Sequence, residues 1–224
     1  MIRFLHTGDL HLCSAFSAFG TGAAMRRERQ FAALERLFED ALSAGAQFVL
    51  MAGDVFDTLS PDREAVRRLM AMLGALPVPA LIAPGNHDPF TRGSLYTAKK
   101  LPKNVCVFSS EVLQRFVFED INTEVYGWAF CSDTLTESPL AGKRADGNGR
   151  LHLVCGHCDM DSPLSRYCPV TSEDVRKFGA HFCGFSHIHK TPQVHTEAGV
   201  TWSYSGVVEG RGFDECGFGG VNLI

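Results

Sequence analysis

Five times along this chain a short apolar run leads at once into a loop carrying Asp, Asn or His, and this recurring unit restricts the possible folds more than any other feature. Residues 2–6 run into Thr7-Gly8-Asp9-Leu10-His11, residues 48–51 into Ala52-Gly53-Asp54-Val55-Phe56-Asp57, and residues 80–82 into Pro84-Gly85-Asn86-His87-Asp88. Further on, Leu151-His152-Leu153-Val154 leads to Gly156-His157, and His181-Phe182-Cys183-Gly184 leads to Ser186-His187-Ile188-His189. Between the first three runs the period changes to that of helices. Residues 25–44 place Phe31, Leu34, Phe38 and Leu42 on one face, and Ser60-Pro61 opens a second helix carrying Val66, Leu69, Met70 and Leu73. Thr171-Ser172-Glu173-Asp174 is a capping pattern ahead of Val175 and Phe178. Strand, helix, strand, helix, strand is the order of a parallel α/β sheet. Sites in such sheets form beyond the carboxyl ends of the strands, where all five polar loops would gather.

The middle of the chain changes character. Val105-Cys106-Val107-Phe108, Arg115-Phe116-Val117-Phe118 and Thr123-Glu124-Val125-Tyr126 are strand-like runs without helices between them, which predicts antiparallel additions or a second sheet. Residues 131–150 turn polar and Gly-rich and read as a surface loop; residues 200–203 and 221–223 read as final strands. Apolar residues make up 45% and charged residues 21% of the 224, so disorder and collagen-like repeats are excluded and a sizeable core is expected. No apolar run is long enough to span a bilayer, and the N-terminus reaches polar residues too soon for a signal peptide; a cytoplasmic protein with no membrane partner is expected. The formal charge of −4 argues against a protein held on nucleic acid by a broad cationic surface, but leaves room for an enzyme whose metals supply positive charge where phosphate sits.

Each loop alone is weak evidence, since Asp and Gly-Asp are ordinary cap and turn residues. Their combination supplies carboxylates, an Asn and imidazoles in the number that two divalent cations require, with no thiolate needed. A carboxylate can bridge two metals, and such a pair hydrolyses phosphoesters by polarising the phosphoryl oxygens and turning a shared water into hydroxide. A histidine left without a metal can protonate the leaving oxygen.

The ordered series D-x-H, G-D-x-x-D, G-N-H-D, H and H-x-H, from Asp9 to His189, resembles the calcineurin-like metallophosphoesterase superfamily. The resemblance implies an α/β sandwich of two mixed β-sheets flanked by helices. It also implies that Asp9, His11, Asp54 and His189 hold one divalent metal while Asp54, Asn86, His157 and His187 hold the other. His87 would be the general acid, oriented by Asp88, with Asp57 a supporting or substrate-side group. Manganese is the expected metal, with iron and zinc served by the same ligands. The residues around these motifs, together with Tyr204-Ser205-Gly206 and Glu209, are most similar to bacterial SbcD-type DNA-repair exonucleases. DNA is therefore the expected substrate. One departure is Ser186, where a Gly usually precedes H-x-H, a change expected to narrow backbone freedom. The other is length: residues 1–224 are expected to form one catalytic domain without the capping and docking segments of those nucleases, which counts against an SbcC-like ATPase partner.

Two further readings stay open: a small-molecule phosphatase or phosphodiesterase with the same site, and a non-catalytic module that holds metals, against which the intact His87 and Asp88 argue. His6, His152, His181 and His195 read as packing or hydrogen-bonding residues rather than ligands, Arg26, Arg27 and Arg29 as a solvated helix face, and Phe16 and Phe19 as hydrophobic packing. Arg211, after the Tyr204-Ser205-Gly206 turn, reads the same way. The eight cysteines are expected to be reduced and mostly buried, and neither a redox role for Cys155 and Cys158 nor a zinc site adding Cys168 is favoured.

Overall fold

A computed structural model describes residues 2–98, 100–197, 199–212, 215 and 220–224. In chain order its strands are β1 (Leu5–Thr7), β2 (Val49–Met51), β3 (Ala80–Ile82), β4 (Val105–Val107), β5 (Gln114–Phe118), β6 (Thr123–Gly127), β7 (Leu151–His157), β8 (Asp159–Met160), β9 (Pro169–Val170), β10 (Phe182–Ser186), β11 (Val194–Glu197), β12 (Val200–Tyr204) and β13 (Asn222–Leu223). Its α-helices are α1 (Ala23–Ser43), α2 (Arg63–Ala75), α3 (Leu95–Ala98) and α4 (Ser172–Phe178). One sheet runs β13-β1-β2-β3-β4, parallel except for β13; the other runs β11-β12-β10-β7-β6-β5, parallel at its centre with antiparallel edges β11 and β5. The two mixed sheets and flanking helices are the expected sandwich. The strand-like runs in the middle divide between the sheets, β4 completing the first and β5 and β6 starting the second.

The period-two alternation of strands assigns each residue to a layer. Leu50, Leu81, Phe108, Val125, Leu153 and Phe182 meet between the sheets, where Phe4 stacks on Phe48 at 4.8 Å between ring centroids. Their neighbours Val49, Met51, Ala80 and Ile82 point outward under α1 and α2, and Val154, Cys183 and Phe185 point outward under α4. Strands buried on both faces explain the unbroken apolar runs, and each fully buried large side chain contributes about 2 kcal/mol.

Helix α1 buries Phe31, Leu34 and Phe38 as its period predicts, but also Gln30. That amide donates to the carbonyls of Leu10 and His11 at 3.1 and 3.0 Å, so the helix holds the first polar loop as well as the core. Helix α2 starts at Arg63 rather than at Ser60-Pro61, because Asp62 has extended ψ and its carboxylate caps Glu64 N–H at 2.7 Å. The capping box at Thr171 and Asp174 forms as expected. Residues 131–150 lie on the surface, pinned by buried Leu135 and Leu140.

Candidate metal centre

The polar loops leave the carboxyl ends of β1, β2, β3, β7 and β10 and converge. The first two are laced together beyond the sheet: Asp9 N–H donates to the Gly53 carbonyl, His11 N–H to Asp54, Leu12 N–H to Val55 and Asp57 N–H to Leu12, all between 2.9 and 3.1 Å. Gly85 lets the third loop close in, for a Cβ there would overlap the Asp54 carboxylate. Asp9, His11, Asp54 and His187 all sit at positive φ, at 46°, 43°, 49° and 121°. Non-glycine residues are rarely held there, and such strain collects at functional sites.

The side chains form two adjoining groups around Asp54. On one side His11 Nε2 lies 3.1 Å from His189 Nε2 and 3.7 Å from Asp54 Oδ2, and Asp9 Oδ1 is 3.7 Å from His189 Nε2. On the other, His157 Nε2 is 2.9 Å from Asn86 Oδ1, 3.1 Å from His187 Nδ1 and 3.5 Å from Asp54 Oδ2. All seven expected ligands are thus brought together. Asp9, His11 and His189 could hold one cation, and Asp9, Asp54 and His157 form a second cluster of suitable donors. The donor chemistry fits divalent cations. Asp9 Oδ1 is buried without a hydrogen-bond partner among the described residues, and paired ring nitrogens at hydrogen-bond distance are what a cation would separate and satisfy. Burial would raise the Asp9 carboxyl, yet His189, His157 and His11 outweigh it and hold it down at about 2. Burial would lower His189, but Asp9 and Glu215 bring it up to about 9, whereas burial and His157 push His187 down to about 4.

The carboxylate against His87 is Asp57 and not the expected Asp88. Asp88 does not orient His87. Its buried carboxylate accepts Val55 N–H at 2.8 Å, Phe56 N–H at 3.1 Å, Gly85 N–H at 3.0 Å and the Tyr96 hydroxyl at 2.7 Å. It therefore ties the second loop to the third. Asp57 Oδ1 lies 3.0 Å from His11 Nδ1 and 3.2 Å from His87 Nδ1, while Oδ2 accepts the Ser14 hydroxyl at 2.8 Å. The hydrogen bond to Asp57 raises His87, partly against burial, and the His87 side chain is 41% exposed beside the metal ligands. A pocket of about 450 Å³ is lined by Asp57, Asn86, His87, Thr58, Leu59 and Asp133, and a second of about 460 Å³ shares Leu59 in its lining and lies beside the start of α2.

Several contributors carried no sequence signal of their own: Gln30, Ser14, Tyr96, Glu215 and the Ser186 hydroxyl, which lies 2.8 Å from His157 Nδ1. His6 is buried and takes a hydrogen bond from Asn222, the buried His152 donates its backbone N–H to Nδ1 of the exposed His181, the exposed His195 stacks on Trp202, and Phe16 is buried. Arg26 and Arg29 are less free than a solvated face, since Glu209 pairs with both. Arg211 is engaged as well, donating to Asp57 at 3.0 Å. Cys155 is buried between the sheets and Cys158 and Cys168 in the outer layer, and among the described residues no cysteine joins a metal-holding cluster.

A family model for calcineurin-like phosphoesterases matches residues 2–210, and the chain belongs to that family. It is 27% identical over 235 residues to the uncharacterized metallophosphoesterase YhaO of Bacillus subtilis, covering all of this chain and 57% of that protein. It is 26% identical over 227 residues to the DNA double-strand break repair protein Mre11 of Aeropyrum pernix, covering 93% and 54%. Against an SbcCD nuclease subunit of Rhodobacter capsulatus the identity is 38% over 96 residues, covering 41% and 22%. The chain thus spans at most 57% of the length of these curated relatives. Its fold is shared with a dimetal phosphatase from Danio rerio at a TM-score of 0.57 and 15% identity, over 93% of this chain and 88% of that one. It is shared equally with TT1561 of Thermus thermophilus, at a TM-score of 0.58 and 10% identity, over 93% and 90%. Among the described residues no helix is long and apolar enough to cross a membrane.

Proposed function

We propose that this chain is a two-metal phosphodiesterase acting on DNA, with manganese as its preferred cation. The observation that carries the reading is the convergence of Asp9, His11, Asp54, Asn86, His157, His187 and His189 beside the hydrogen-bonded pair His87 and Asp57. Asp9, His11 and His189 would hold one cation, Asn86, His157 and His187 the other, and Asp54 would serve both. Bound there, two divalent cations supply charge that polarises phosphoryl oxygens and activates water as the nucleophile. The chain's own part is to aim the phosphate and to deliver a proton. His87, kept protonated by Asp57, donates to the leaving oxygen from the open side of the site, and Asp57 then steadies the neutral ring by accepting its Nδ1–H. The proton on His87 is replaced from solvent, to which the ring is exposed.

DNA is supported by the names of two relatives, a nuclease subunit and a break-repair protein, and by the open pocket beside His87, with a second pocket bordering it at Leu59, which gives room for more than a compact ester. A second reading, a small phosphodiester as substrate, draws on the arginines. Arg26 pairs with Glu209, and Arg211 with Glu215 and Asp57, so these two arginines are not free to follow a phosphate backbone. The test is hydrolysis of end-labelled DNA and of bis-p-nitrophenyl phosphate with manganese, with Asp54→Ala as control. DNA degradation that disappears in the variant supports the first reading. Cleavage of the small diester alone supports the second, and no cleavage of either overturns both.

A further inference from the structure

Four histidines face the two cation positions, and the nitrogens that three of them turn away from the cation have different partners. His11 Nδ1 meets the Asp57 carboxylate at 3.0 Å and His157 Nδ1 the Ser186 hydroxyl at 2.8 Å. His189 Nδ1 meets Glu215 Oε1 at 2.6 Å, the shortest of the three. Glu215 lies 26 positions beyond His189 and its side chain is only 8% exposed. Arg211 holds it from three donors: its backbone N–H reaches Oε2 at 2.7 Å, and its Nε and one terminal nitrogen reach Oε1 at 3.1 and 2.9 Å. The other terminal nitrogen of Arg211 donates to Asp57 Oδ1 at 3.0 Å. One guanidinium therefore spans the two carboxylates that stand behind His11 and His189. Without it, those two negative charges would face each other across the back of one cation position.

We infer that Glu215 and Arg211 are a positioning pair for the cation held by Asp9, His11 and His189, with Glu215 fixing the His189 ring so that Nε2 faces the cation. The inference rests on the metal-centre reading and deepens it. A carboxylate that accepts Nδ1–H leaves the Nε2 lone pair free for metal and makes it more basic, and loss of such a partner weakens metal binding by about 10 to 100-fold. Arg211 keeps Glu215 in the rotamer that does this and keeps Asp57 aligned on His11. The bonds of this pair all lie on the His11 and His189 side, away from Asn86, His157 and His187, so the effect is confined to one cation of the two.

The experiment is a manganese titration of the full chain, with free Mn(II) read by electron paramagnetic resonance. Wild type is expected to bind two equivalents. In Glu215→Ala one equivalent keeps its affinity and the other weakens about 10 to 100-fold; Glu215→Gln, which keeps an acceptor oxygen, weakens less. Because Glu215 acts through His189, adding Glu215→Ala to His189→Ala causes no further loss, whereas a merely structural role for Glu215 would make the losses add. Should Glu215→Ala not fold, Arg211→Met must weaken the same single equivalent. Wild-type affinity in these variants, or additive losses, overturns the inference while leaving the metal centre standing. A wild type that binds no manganese overturns the metal centre itself and this pair with it.

Discussion

Replacing Asp88 and Asp57 in turn separates two carboxylates that the motif G-N-H-D and the loop G-D-x-x-D would lead one to confuse. Asp88 Oδ2 accepts Val55 N–H, Phe56 N–H and the Tyr96 hydroxyl, and Oδ1 accepts Gly85 N–H, all out of water. In Asp88→Asn the amide oxygen can serve the first three donors, but its NH2 then confronts Gly85 N–H. One buried hydrogen bond is lost and two donors are left opposed, at about 1 to 3 kcal/mol each. The expected cost is about 2 to 5 kcal/mol, and at about 2 to 4 °C per kcal/mol for a chain of this size the melting temperature falls by roughly 4 to 20 °C. Turnover per folded molecule, measured well below that transition, changes little. The Asp57 side chain is 21% exposed, so in Asp57→Ala water can enter where the carboxylate stood, but the buried His11 and Ser14 each lose a partner, and the cost is about 1 to 3 kcal/mol. The substitution strips His87 of the carboxylate whose hydrogen bond raises its pKa, and on the proposed reading turnover on DNA falls by about 100-fold or more. Differential scanning fluorimetry and initial rates on an oligonucleotide, run on both variants, decide the matter. If Asp88→Asn melts like wild type yet loses turnover 100-fold, Asp88 acts on His87 and the assignment given to Asp57 is wrong.

Asp54→Ala is expected to remove both cations, since Asp54 Oδ2 stands between His11 and His157; two equivalents still bound by metal analysis would refute the shared role. His87→Ala should lose about 100-fold on DNA, whose alkoxide leaving group needs a proton, and under tenfold on bis-p-nitrophenyl phosphate, whose phenolate does not; equal losses on both substrates exclude proton donation. His6, pushed by burial from 6.5 down to about 4, is neutral in the folded protein. The unfolded chain takes up its proton first, so this contribution to stability is complete above pH 6.5 and is lost as pH falls toward 4. Denaturant unfolding should show the drop between pH 7 and pH 5 to be about 2 kcal/mol smaller in His6→Leu than in wild type; an equal drop in both would place the titration elsewhere.

The strands and their loops were legible because burial on both faces leaves unbroken apolar runs, and the polar residues that interrupt them serve no core. The candidate ligands were legible too, for D-x-H, G-N-H-D and H-x-H place polar groups at fixed distances along the chain from a strand end. What was not legible depends on contacts between distant loops. Nothing local to Asp88 says that three N–H groups from two loops point at it, and nothing local to Asp57 says that it lies between His11 and His87. Nothing local to Gln30 says that its buried amide holds the carbonyls of Leu10 and His11. Nothing local to Glu215 says that it lies against His189 or that Arg211 donates to both of its carboxylate oxygens.

Ser186 shows how such a contact can reverse a reading made from one position. A serine in place of glycine before H-x-H was expected to restrict the backbone, but the positive φ of that turn falls at His187, so position 186 needs no glycine. Space for the side chain comes from the opposite loop: a Cβ at residue 8 would lie 2.6 Å from Ser186 Cβ, and residue 8 is glycine. The hydroxyl, seated between the sheets, donates to the Ala52 carbonyl ahead of Asp54 and so presents its lone pair to His157 Nδ1–H. That fixes the tautomer with Nε2 free, beside Asn86 and Asp54. Asp9, His11, Asp54 and Asn86 come from the first sheet and His157, His187 and His189 from the second, so a centre built from both requires the sheets to meet in one register. The serine hydrogen-bonds to both halves at their seam, and the change at 186 therefore adds an orienting contact where the glycine could supply none.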